Sequence, residues 1–355
     1  MNLGIIGLPQ TGKKTIFELL TGVSAQKAPS RDGLSYAMAS VRDPRVDRLS
    51  ALYNPKRTKY AEIEIALPPD VQPDATRNAA WIAPLRNMDG LIHVVRDFPS
   101  PQVFHALGEV DAARDVSLVE VELLLADLAL VETRLTRMEK ESRHKPASEV
   151  AKEKELLKRF GEQLENEKPL STLELTPEED KIVASLQFLS MKPLVTVFNV
   201  GENLTEAEQR LAPLAEKHRG NGAASVYLSA AIESEIRDLP SEERQAFMDD
   251  LGLTEPAAHR LSRAVYEAMG LISFFTVGPD EVRAWSVRHG ARAPEAAGKI
   301  HSDLERGFIR ASTIRYEALL EAGSERAATE AKLYVLNGKE YVVQDGDILE
   351  IRFNV

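Results

Sequence analysis

The chain has 355 residues, 43% hydrophobic and 28% charged, with no cysteine and a formal net charge of −11. A chain of that length buries a sizeable core in two or three domains without covalent staples, and the missing thiols exclude disulfides and thiolate metal sites. The acidic balance argues against broad nucleic-acid binding but allows a local basic face, and no apolar run approaches the roughly 20 residues of a membrane span. The charged loop after the first strand is no signal-peptide layout, so a cytoplasmic protein is expected.

The first element is a short apolar strand, Leu3 to Ile6. It leads into Gly7-Leu8-Pro9-Gln10-Thr11-Gly12-Lys13-Lys14-Thr15 and a helix that starts at Lys13 or Lys14. This is a Walker A phosphate loop, G-x-x-x-x-G-K-[ST] between strand and helix, with one position changed. Its glycines let backbone N–H groups turn inward as an anion nest, and the helix N-terminus adds partial positive charge. Lys13 would reach the β- and γ-phosphates, and Thr15 the α-phosphate. The hydroxyl that normally ligates Mg²⁺ is replaced by Lys14.

Residues 24–60 read as polar and irregular, apart from a helix over Pro44 to Tyr53 with Val46, Leu49 and Leu52 on one face. Ala61 to Leu67 alternates as a strand, and Pro68 to Asp74 is a breaker cluster. A helix around Ala75 to Arg86 and a strand over Gly90 to Arg96 follow, which indicates an α/β domain with a largely parallel sheet. Leu124, Leu128, Val131, Leu135 and Met138 then form a heptad seam. Pro146 breaks it, and a second charged helix from about Ser148 to Glu167 repeats Val150, Leu157 and Leu164, with Phe160 between. The pair is expected to form an antiparallel hairpin, the alternative being one amphipathic helix packed on the body.

Beyond an N-cap at Thr176, buried strands are expected over Leu194 to Asn199 and Ala224 to Ser229, so the hairpin interrupts a discontinuous domain. From Ile272 the pattern changes to short strands, at Ser273 to Val277, Ala284 to Val287, Tyr341 to Val343 and Ile348 to Phe353, with one helix near Ala296 to Arg306. Asn199-Val200-Gly201-Glu202 ends a buried strand, where open α/β sheets bind ligands. A GTPase places N-K-x-D there. Here Val200 replaces the Lys and Glu202 the Asp, while Ser229-Ala230-Ala231 matches the usual third base-contact segment.

With these residues in order, the chain resembles the YchF (Obg-like ATPase) family of P-loop proteins over nearly its whole length. The likeness extends to the inserted hairpin, to Gly298 through Ala311, which looks like the heart of that family's C-terminal TGS domain, and to the ending Asp345 through Val355. The resemblance implies an α/β P-loop NTPase with a doubly wound sheet over 1–115 and 185–271, a helical hairpin over 116–184, and an α+β, β-grasp-like TGS domain over 272–355. It also implies adenine preference over guanine, weak NTP hydrolysis and association with ribosomes. On this reading ATP or GTP is held by Pro9, Gln10, Thr11, Gly12, Lys13, Lys14, Thr15, Asn199, Val200, Glu202, Ser229 and Ala230, with Asn199 reading the purine edge. His105 aligns with the family's catalytic histidine.

The departures from that family bear on the metal. Family members carry G-K-S-T, where this chain has Gly12-Lys13-Lys14-Thr15, and D-x-A-G, where Leu67 takes the Asp position and Asp70 the Gly position. Both usual protein anchors of Mg²⁺ are therefore replaced, and the loss of rate expected is about 10²-fold or more. Lys14 either substitutes for the metal with its ammonium or points to solvent. His301, Arg306, Arg310 and Arg315 form a basic patch for RNA or a solvated face paired to Asp303 and Glu305. The expectation is a monomeric nucleotide-binding protein of translation with hydrolysis weak or lost. The alternative is a non-catalytic scaffold docking through the hairpin and the C-terminal module.

Overall fold

The computed structural model describes residues 1–70, 81–141 and 147–354. The expectations on 71–80, including the first half of the helix around Ala75 to Arg86, lie outside the described residues, and Ile82–Leu85 of that helix is helical. The chain divides into one unit of Met1–Ala37 with Glu64–Ala264 and another of Met38–Ile63 with Val265–Val355.

The strands of the first sheet are β1 (Asn2–Ile6), β2 (Ser30–Arg31), β3 (Leu34–Val41), β5 (Ala61–Leu67), β6 (Gly90–Asp97), β7 (Leu194–Val200) and β8 (Ala223–Leu228), the short β4 (Arg57–Lys59) lying in the second. The order is β2-β3-β5-β1-β6-β7-β8. From β5 through β1, β6 and β7 to β8 all pairings are parallel. All eight residues of β6 are buried, as a parallel strand covered on both faces requires. Because β1 lies between β5 and β6, the strand order reverses there, and a crevice opens at the carboxyl ends.

The helices of this part are α1 (Lys13–Thr21), α2 (Pro44–Tyr53), α3 (Ile82–Leu85), α4 (Ala112–Glu141), α5 (Ala147–Glu165), α6 (Pro177–Val183), α7 (Leu204–Gly220) and α8 (Ala230–Asp238), α2 belonging to the second unit. Val95, Val116, Phe198 and Leu211 pack together beside α7, and Leu91, Val119 and Leu123 continue the core along α4. Further along, Leu124, Val131 and Met138 meet Leu157, Phe160 and Leu164 of α5, and Phe160 stands edge-on to Phe188 at 5.4 Å. The heptad seam is thus a real interhelical core. The expected boundary at residue 116 cuts through α4, however, because one unbroken helix serves the α/β core with its first turns and the hairpin with the rest. Asp127, fully buried on α4, accepts hydrogen bonds from Leu189 N, Ser190 N and Ser190 Oγ, and burial pushes its carboxyl up against their opposing effect.

Further expectations are corrected. Residues 24–60 are not irregular: Leu34–Val41 is a strand. Residues 38–63 were grouped with the nucleotide domain but join the second unit, because β4 pairs in parallel with β10 (Glu281–Arg288) and the Arg45 guanidinium clamps Asp345 at 2.7 and 3.2 Å. With β9 (Leu271–Thr276), β11 (Phe308–Arg315), β12 (Val335–Asn337) and β13 (Asp347–Phe353), the second sheet runs β12-β11-β13-β9-β10-β4. The expected helix near 296–306 is two helices, Ala293–Ile300 and Ser302–Arg306, separated by His301 in an extended conformation at φ −162°. Tyr341 to Val343 contributes a single bridge, Val342 to Arg292. No helix among the described residues is long and apolar enough to cross a membrane.

Truncating Phe160 to Ala is expected to cost about 3–5 kcal/mol, read as a lower urea midpoint with the hairpin exchanging amide protons first. His93, buried on β6, has its pKa lowered to about 3 by burial, with His218 and Lys13 adding to the effect. Between that value and its unfolded value of 6.5 the unfolded chain binds a proton that the folded one does not. Stability should therefore fall as pH drops through this window, by about 1.4 kcal/mol per pH unit from this group, and His93→Leu should remove that component from the pH dependence of the urea midpoint.

Candidate functional site

The loop between β1 and α1 curls because three of its residues take positive φ: Gly7 at 145°, Gln10 at 61° and Gly12 at 98°. At Gly7 a Cβ would fall 2.3 Å from the Val94 carbonyl oxygen, and at Gly12 2.4 Å from Asn199 Nδ2, so neither position admits a side chain. Thr11 is buried and its hydroxyl donates to Leu8 O at 3.1 Å. Gly12 caps α1, and with no acidic residue in the first turn the helix presents uncompensated N–H groups to the crevice.

Lys13 folds back over this loop. Its Nζ donates to Gly7 O at 2.9 Å and to Leu8 O, and it lies 2.9 Å from Asp70 Oδ1. Burial pushes the ammonium pKa down, against the raising effect of Asp70. Lys14, next along the helix, is exposed and has no ion-pair partner among the described residues. Leu67 ends β5 as a half-buried apolar residue.

Asn199, 3% exposed at the end of β7, uses both ends of its amide within the protein. Nδ2 donates to Thr11 O at 2.9 Å, and Oδ1 accepts from Ala230 N at 3.0 Å. The side chain thus fastens the phosphate loop to the start of α8 and does not present a free amide to a purine edge. Ser229 caps α8 through a hydrogen bond from Ile232 N. Beside this bridge lies a cleft of about 730 Å³, lined by Gln10, Gly12, Thr15, Asn199, Val200, Glu202, Ser229 and Ala230 among the residues expected from sequence. Pro9, Thr11, Lys13 and Lys14 are not part of its lining.

The far wall, Phe98, Pro99 and Val103, was not anticipated. It is held by Arg96, 1% exposed on β6, whose Nε donates to Phe98 O and Nη2 to Val103 O, both at 3.0 Å. The guanidinium also stacks over the Phe98 ring, 4.6 Å from its centroid. The signal was present in the sequence: an arginine directly after the apolar run Gly90 to Val95, still within a buried strand, needs partners, and the adjoining loop carbonyls supply them.

His105 is not among the residues that line the cleft. Its side chain is 2% exposed, with Nε2 2.7 Å from Asp115 Oδ2 and Nδ1 accepting from Leu107 N at 3.1 Å. With both ring nitrogens occupied, it has none left for an attacking water in this conformation. Among the described residues no group of three or more His, Asp and Glu can hold a metal ion. Neither Lys14 nor Leu67, the residues expected at the Mg²⁺-associated positions, carries an oxygen on its side chain that could ligate a cation. In the second unit, Arg306 pairs with Asp303, the His301 ring accepts from Asp303 N at 3.2 Å, and Arg315 lies 2.9 Å from Asp347. Arg306 and Arg315 of the expected basic patch are thereby paired, and Arg310 is exposed.

Comparison with known proteins agrees in extent with this architecture. The family model YchF-GTPase_C, described as "Protein of unknown function (DUF933)", matches residues 271–354. The chain is 39% identical over 365 residues to the "Ribosome-binding ATPase YchF" of Bacillus subtilis (strain 168), covering 100% of both chains. It is 32% identical to "Obg-like ATPase 1" of Oryza sativa subsp. japonica, covering 100% of this chain and 92% of that one. The solved structure of the Schizosaccharomyces pombe YchF GTPase superposes with a TM-score of 0.84 at 27% identity, covering 99% and 97% of the two chains.

Replacing Asn199 with Leu strands the Ala230 N–H and the Thr11 carbonyl. The expected cost is roughly 2–6 kcal/mol in thermal or urea unfolding, since each of the two buried unpaired groups costs roughly 1–3 kcal/mol. Gly12→Ala should be destabilising in the same assay through its Cβ against the Asn199 amide, and Asn199→Ala should relieve part of that loss.

Proposed function

The chain belongs to the YchF (Obg-like ATPase) family, and on that premise we propose that it binds an adenine nucleotide in preference to a guanine nucleotide, hydrolyses it weakly or not at all, and acts on the ribosome. The observation that carries the reading is the phosphate loop already curled at Gly7, Gln10 and Gly12, with the α1 N-terminus and the cleft of about 730 Å³ beside it. Phosphates meet the loop amides and the helix dipole, and the base enters between Phe98 and the Asn199 bridge. Val200 and Glu202 stand in place of the Lys and the Asp with which a GTPase reads guanine, which supports adenine.

Weak hydrolysis follows from what surrounds the phosphates. Phosphoryl transfer depends on positioned positive charge and an oriented water. Among the described residues no His, Asp and Glu cluster could hold a metal, and the His105 ring is turned into its pair with Asp115. The loop amides and Lys13 bind and orient phosphate without completing that machinery. The ribosome enters through the relatives whose names state it, with the hairpin and the C-terminal unit as docking elements.

Calorimetric titration of nucleotide-free protein is expected to give micromolar adenine-nucleotide binding, weaker guanine binding, and weakened binding for Lys13→Ala. Phosphate release should be slow and unchanged in His105→Ala. A slow wild type that His105→Ala reduces further would make His105 catalytic, and no binding at all would favour the scaffold reading. Pelleting with ribosomes over a salt series checks the partner.

A further inference from the structure

Lys13 is the group with which a phosphate loop holds the terminal phosphates, and here its ammonium is already fully engaged. An ammonium has three donors, and Lys13 directs them at three oxygens: Gly7 O, Leu8 O and Asp70 Oδ1. The first two belong to the loop itself. The third is a carboxylate that reaches the loop from the end of β5, on a short arm stiffened by Pro68 and Pro69. The lysine side chain is 4% exposed and that of Asp70 43%, so the carboxylate covers the lysine from the solvent side, where an incoming phosphate must arrive.

A γ-phosphate in that place would meet the Asp70 carboxylate at close range, with Lys14 and Leu67 offering no ligand for a neutralising cation. The β-phosphate is differently placed: the loop amides and the α1 N-terminus serve it, and neither group is engaged by Asp70. We propose that Asp70 is a specificity-determining residue. Its carboxylate occupies the place of the γ-phosphate on Lys13, so that the site takes a nucleoside diphosphate as it stands and a triphosphate only by breaking the Lys13–Asp70 pair. This rests on the nucleotide-binding reading above and sharpens it.

The test is calorimetry on the full chain with ADP and with a non-hydrolysable ATP analogue, with and without Mg²⁺, for the wild type, Asp70→Asn and Asp70→Ala. Thermal melting confirms that each variant is folded. The wild type should bind ADP about tenfold or more tightly than the triphosphate. Both variants should gain about tenfold for the triphosphate, while ADP affinity changes less than about twofold. Equal affinities in the wild type, or a ratio unmoved by either substitution, overturns the proposal and leaves nucleotide binding standing. A triphosphate bound more weakly by the variants in Mg²⁺ also overturns it, and makes Asp70 a cation ligand. If no folded protein binds either nucleotide, the proposal and the nucleotide reading fail together.

Discussion

Two hydrogen bonds from one buried amide hold the nucleotide end of this molecule together. Asn199 ties the carbonyl of Thr11 to the backbone N–H of Ala230, so the loop after β1 and the turn after β8 are braced across the carboxyl edge of the sheet by a side chain from β7. The geometry leaves no slack, because the space a Cβ would need at Gly12 is filled by the Asn199 amide nitrogen. An apolar residue at 199 would free two buried polar groups at once, and a larger residue at 12 would push the brace away. The cleft keeps its shape because these two demands are met by the same atoms.

The charges around the brace are arranged unusually for a phosphate loop. A buried lysine faces a carboxylate, and an exposed lysine follows it. Burying an ammonium is costly unless it is paired and fully hydrogen-bonded, and Lys13 meets that condition with two loop carbonyls and Asp70. The ammonium is therefore satisfied within the protein.

Much of this was readable along the chain because it is local. The glycine spacing around Lys13, the N-cap and proline at Thr176 and Pro177, and the seven-residue recurrence through Leu157 and Leu164 are each decided within a few residues. The features that escaped depend on partners distant in sequence. Leu34–Val41 is a strand because a sheet receives it, although its serines and alanines carry little apolar signal. Residues 38–63 join the C-terminal unit through pairs such as Arg45 with Asp345, separated by most of the chain. Asp70 showed itself in sequence only as the residue standing where a glycine was expected. Its contact with Lys13 is a property of where β5 ends.

Asp127 adds a mechanical property. It sits in the middle of α4, between the turns that belong to the α/β core and those that form the hairpin, and three hydrogen bonds pin it to Leu189 and Ser190, just ahead of β7. A long helix fastened near its midpoint behaves as a lever with a fixed fulcrum. A load applied at the free end of the hairpin is delivered to the root of β7, and the tip of that same strand carries Asn199.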